Sequence, residues 1–187
     1  MRTHWSAVAV AVGLSLGFGR ASAEDAPAPV PAPAPAPAPA PKSFRVEGDV
    51  LASRTWTVAE ITKELASEVK DVDWTLKERP HKSKALALAA LVRAAKPALD
   101  ENVKHHDLSF VVVVRSRDGY TAAFSLPELD TALRGTEAWV ALDDDAVGLS
   151  EKDAPAGLLV TNDIKKSRWV RGIDAIFVLD ARKNLPK

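Results

Sequence analysis

The chain has no cysteine among its 187 residues, a single tyrosine, a single methionine and no surplus of either charge. Without a thiol there is no disulfide, no thiolate metal site and no lipid attachment through sulfur. The 25 lysines and arginines balance 25 aspartates and glutamates. The basic stripe that phosphate backbones require is therefore missing, which excludes nucleic acid as a partner. A strongly anionic membrane surface is equally ill suited to such a chain. The longest apolar run, "SAVAVAVGLSLGFG", has 14 residues, short of the roughly 20 that a spanning helix needs.

What is present divides the chain into three parts. "MRTHW" carries Arg2, the apolar run follows, and "RASA" closes with small residues at Ala21, Ser22 and Ala23. This pattern predicts a secretory signal peptide over residues 1–23, cleaved before Glu24. It implies a periplasmic or secreted protein with no transmembrane segment after cleavage. Cleavage removes Arg2 and Arg20 and no acid, leaving 23 basic against 25 acidic residues. Residues 24–41 include "APAPVPAPAPAPAPAP". Proline fixes φ and removes a donor at every second position, so neither helix nor sheet can form. The segment reads as a Pro/Ala-rich polyproline II spacer, about 50 Å long if fully extended.

Residues 42–187 are of single-domain length, enough to build a core without covalent staples. "SFRVEGDVL" alternates like a strand, with Gly48 at a bulge or turn. In "TWTVAEITKELA", Thr55 or Thr57 caps a helix whose Val58, Ile61 and Leu65 share a face. "EVKDVDWTL" is weakly strand-like. "ALALAALVRAAKPAL" places Leu88, Leu91, Val92, Ala95 and Leu99 at helical spacing, interrupted by Pro97. "LSFVVVVRSRDGYTAAFSL" reads as two strands joined at Asp118-Gly119, with Val111–Val114 suiting a central strand buried on both faces. "LPELDTAL" predicts a short helix, and "EAWVAL", "AGLLVT" and "IDAIFVLD" three further strands. Strands and helices mix without strict alternation, so the fold class is α+β, a mixed β-sheet core with short flanking helices.

Order and spacing of these pieces resemble the small stand-alone oxidoreductase molybdopterin-binding domain, the sulfite-oxidase-like fold. The carriers are "FRVEGDV", "LALAALVRAA", "SRDGYTAAFSLPEL", "AWVALDDDAVGL", and "DAPAGLLV" followed by "RWVRGIDAIFV". Together they cover residues 44–180. The resemblance implies that fold, and molybdopterin as the cofactor to consider. In the catalytic members a cysteine sulfur binds molybdenum, and this chain has none. The family's Gly-Val-x-Leu turn has Ala85 for its glycine, Gly157 stands where arginine is usual, Thr161 where proline is common, and Ala146 replaces the glycine after the acidic pair.

The candidate site residues are Asp118, Tyr120, Arg168, Trp169 and Arg171. A guanidinium fork matches a phosphate or carboxylate, which makes Arg168 and Arg171 candidates for an anionic ligand. In strand geometry the two point to opposite faces and converge only through a turn near Gly172. The opposing reading is that both pair with surface acids. Asp118 is placed to accept turn amides, and Tyr120 to bury its ring with its hydroxyl on backbone. His105 and His106 are adjacent and poor joint ligands. Asp143, Asp144 and Asp145 lack the alternating spacing of a calcium loop. Residues 42–187 carry no G-x-S-x-G elbow, no phosphate-cradling glycine loop and no H-E-x-x-H. These features favour a non-catalytic exported domain that binds an anionic small molecule or an envelope protein, with no metal. A molybdopterin-dependent oxidoreductase without cysteine ligation and a structural envelope module are the alternatives.

Overall fold

The computed structural model describes residues 43–133, 135–143 and 153–185. The expected signal peptide and spacer, and Asp144, Asp145 and Ala146, lie outside these. Two sheets form the domain. In the larger, the order is β2 (Arg54–Thr57), β1 (Ser43–Gly48), β9 (Ile173–Asp180), β5 (Phe110–Ser116) and β6 (Thr121–Ser125). β9 runs parallel to β1 and antiparallel to β5, which makes this sheet mixed. The smaller sheet is antiparallel throughout: β3 (Val69–Leu76), β4 (Arg79–Ala87), β7 (Ala138–Ala141) and β8 (Gly157–Val160). With helices α1 (Val58–Glu64) and α2 (Leu88–Ala95), the class is α+β as the sequence predicts.

Local chemistry explains the element ends. Thr57 caps α1: its hydroxyl accepts from the Glu60 amide at 3.2 Å, and the Glu60 carboxylate accepts from the Thr57 amide at 2.8 Å. This reciprocal box satisfies two otherwise orphaned donors. α2 follows β4 directly, turns Leu88, Leu91, Val92 and Ala95 inward, and ends where Lys96 adopts a left-handed conformation. Gly48 has φ +111°, and a Cβ there would strike the Val178 carbonyl oxygen. Only glycine lets β1 approach β9 so closely. The core gathers Phe44, Phe110, Phe124, Leu86, Leu91, Leu158 and Ile176, all essentially without solvent contact. Each such side chain contributes roughly 1.5–3 kcal/mol on burial.

Four expectations need correction. β5 is not the central strand; β9 is, and β5 buries Phe110, Val112 and Val114 on one face while Val111 and Val113 are only half-buried. The outer face of that sheet instead carries Arg115 and Asp174, paired at 2.6 Å. The helix predicted from residue 85 starts at Leu88, because Ala85 and Leu86 still pair with β3 and β7. Leu99, assigned to its apolar face, is exposed beyond the helix end. "LPELDTAL" forms two single 3₁₀ turns, Pro127–Leu129 and Thr131–Leu133, rather than one helix.

Candidate functional site

The connection from β8 to β9 holds three of the five candidate residues. It opens with two side chains that tie it to the start of β7. Thr161 Oγ1 donates to the Glu137 carboxylate at 2.7 Å, and Asn162 Oδ1 accepts from the Glu137 amide at 3.1 Å. Arg168 closes the loop on itself. Its Nε and Nη2 donate to the two oxygens of Asp163 at 2.8 and 2.5 Å, and its Nη1 donates to Glu128 at 2.8 Å. The guanidinium also lies 4.8 Å over the Phe124 ring. These bonds raise the Arg168 pKa above its ordinary value and hold the Asp163 carboxyl below the usual carboxylate range. Between the two tied ends stands Ile164, as exposed as a side chain can be (102%).

Tyr120 reaches the same loop from the β5–β6 turn, whose conformation Asp118 fixes. Gly119 takes φ +88°. The Asp118 carboxylate accepts from the Ser116 hydroxyl and, at 3.1 Å, from the Tyr120 amide. Those two donors lower its pKa, the hydroxyl more than the amide. Tyr120 so placed donates its hydroxyl to the Ser167 carbonyl. The expectation for its hydroxyl holds, but the ring is not buried; it is 48% exposed.

Trp169 faces inward. Its Nε1 donates to the Val160 carbonyl at 3.0 Å, and its ring meets Trp74 edge-on at 5.4 Å. Trp74 in turn stacks on its cross-strand partner His81, centroids 4.2 Å apart. Lys166 lies over the Trp169 ring at 4.7 Å and donates to the Thr75 carbonyl. Arg171 stands apart, largely exposed and paired with Asp153 at 3.1 Å. A turn does occur at Gly172, φ +57°, yet the two arginines go to different carboxylates. Tyr120, Arg168 and Trp169 are therefore bonded to or within one loop, Asp118 fixes the turn that brings Tyr120 to it, and Arg171 pairs elsewhere.

Two further constellations escaped the sequence reading. One is a groove of about 590 Å³ between α2, the 126–131 segment and β7; none of the five candidates lines it. The other is a buried cluster at the end of β9. His106 Nδ1 accepts from the Asp100 amide at 2.7 Å, so Nε2 carries the proton and donates to Asp180 at 3.0 Å. Ser109 Oγ reaches Asp180 at 2.9 Å, and Arg182 donates to the same carboxylate from its side chain and its amide. Arg182, then His106 and Ser109, pull the Asp180 pKa far below the carboxylate range. Serine, histidine and aspartate meet here in the wrong order for nucleophilic catalysis. Ser109 faces the carboxylate, and the imidazole has no free lone pair with which to take its proton. His105 is exposed. Among the described residues no group of three or more His, Asp or Glu could hold a metal ion, and none of the helices is long and apolar enough to cross a membrane.

No family model matches the chain, and none of the curated proteins does. Among solved structures, the crystal structure of the sulfane dehydrogenase SoxCD from Paracoccus pantotrophus is similar at 11% identity, with a TM-score of 0.49. The similarity covers 74% of this chain and 38% of that one, so this chain spans well under half of that protein chain's length.

Proposed function

We propose that the protein is an exported, non-catalytic binding module on a sulfite-oxidase-like scaffold, and that its ligand is a partner protein docking on the 161–169 loop. One observation carries this reading: Ile164 is fully exposed on a loop that hydrogen bonds at Thr161, Asn162, Asp163 and Arg168 hold in place. An apolar side chain held out by a rigid loop has already met the ordering cost of binding. The exposed Tyr120 ring, bonded to the same loop at Ser167, and half-buried Arg168 supply the residue types enriched at interface centres.

A small anion is the weaker reading, since both guanidiniums already answer carboxylates. The residues present do not fit a molybdenum pterin either. The whole chain offers no sulfur donor of the kind such centres take, and the arginines that would meet a pterin phosphate are engaged elsewhere.

The test places a photo-crosslinking side chain at position 164 in the producing cell, and separately at exposed Leu51 as a control. A discrete adduct specific to position 164 is expected, lost when Tyr120→Ala is added. Identical adduct patterns at both positions, or none at 164, overturn the docking reading. Stoichiometric molybdenum in the protein purified from its native compartment overturns the non-catalytic one.

A further inference from the structure

We propose that the groove between α2 and the 126–139 segment is a second docking site, one that Ile164 does not line, and that it takes a basic and apolar peptide segment of a partner protein. Its floor is apolar, built from Val92, Leu126, Leu129 and the half-buried indole of Trp139. At about 590 Å³ it lies within the roughly 300–1,000 Å³ range of established ligand sites. Its polar edge is lopsided in charge. The carboxylates of Asp107, Asp130 and Glu137 face one guanidinium, Arg93, which is itself paired with Glu68 at 3.7 Å.

Among the described residues no lysine or arginine pairs with any of those three acids. Two of their carboxylates bond to neutral donors: Glu137 accepts from the Thr161 hydroxyl at 2.7 Å, and Asp130 from the Ala132 amide at 2.8 Å. Neutral donors leave the negative field in place at the groove mouth. An acidic occupant would be repelled, and a purely apolar one would fill the floor while leaving the edge unanswered. A segment with leucine-like side chains flanked by lysine or arginine satisfies both, and the Trp139 face adds a surface for a cation. The walls are also fixed in advance. Pro97 bridges Val50, and Thr136 is bonded through its amide (2.6 Å) and hydroxyl (3.2 Å) to Glu128.

The test is a calorimetric titration of the folded chain with a blocked peptide alternating lysine and leucine, against its glutamate–leucine and lysine–serine counterparts. The lysine–leucine peptide is expected to bind saturably, about tenfold more tightly than either counterpart, and to weaken as salt rises. Asp107→Asn with Asp130→Asn should cost about fivefold in affinity with an unchanged melting temperature, whereas Ile164→Lys should leave affinity unaltered. Equal binding of the three peptides, no saturation below about 1 mM, or full affinity in the double variant overturns the proposal. Should that variant fail to fold, a salt-insensitive affinity in the parent protein overturns it instead.

Discussion

The clusters around Asp180 and Arg168 are built from the same materials and do opposite things. In each, one charged group makes several hydrogen bonds with side chains brought together by the fold: Asp180 accepts them and Arg168 donates them. Asp180 is almost wholly buried, and its partners come from the 100–109 segment and from the turn after β9. There the polar groups answer one another and nothing faces outward, as a low-dielectric interior demands. Arg168 is half-buried, and its main partner lies five residues away in its own loop. There the bonding fixes a conformation that holds an apolar side chain out into water. The contrast separates polar groups that close the fold from polar groups that display something.

Substitutions sharpen the contrast in a definite order. Val112→Asp puts a carboxylate at a position as buried as that of Asp180 but without partners, so the domain should lose its cooperative melt by circular dichroism altogether. Asp180→Ala leaves Arg182 and the imidazole unanswered and should lower the melting temperature by on the order of 10 °C. Asp180→Asn should do less harm, because it keeps part of the hydrogen bonding. The same residue sets an acid limb. Asp180 holds its proton less tightly folded than unfolded, so the unfolded chain takes up protons first as pH falls. Its contribution is complete above the unfolded value of about 3.9 and drains away below it. Asp163, Asp118 and Asp49, also lowered, act in the same sense. Chemical denaturation between pH 6 and pH 3 should show this decline, flattened in Asp180→Ala. Arg168→Ala should cost only about 1 kcal/mol, because the pair is partly solvated, but should speed amide exchange across residues 161–168. Ile164→Ser should change stability by less than about 0.5 kcal/mol while abolishing the crosslink formed from a photo-reactive side chain placed instead at the neighbouring, exposed Lys165.

Signals that were local were legible in the chain. The Thr57 box, the Asp118-Gly119 turn, the alternation of β1 and the inward face of α2 depend on residues within a few positions of one another. β4 was not legible, since its buried positions hold Ser83 and Ala85 among lysines, histidine and proline, with no apolar rhythm. Its place comes from β3 alongside, where Trp74 bonds to Ser83 at 2.9 Å and stacks on His81. Both five-residue spacing and mutual charge made Arg168 and Asp163 a possible pair, but whether a guanidinium meets a ligand or a neighbouring acid depends on a loop conformation that spacing does not encode. The groove and the Asp180 cluster draw on segments from residue 87 to residue 182, brought together only by tertiary structure. The resemblance in motif order likewise spoke to architecture more than to chemistry, since it is the departures, above all the missing thiol, that bear on the site.

The central position of β9 has a consequence for how the molecule is made. The β1–β2 and β5–β6 hairpins are separated in space by a strand that lies later in the chain than either of them. Until residues 173–180 leave the ribosome these hairpins have no common neighbour, and the larger sheet stays open. Such distant pairing slows folding, so the larger sheet closes only when the strand made last has been slotted between two hairpins made before it.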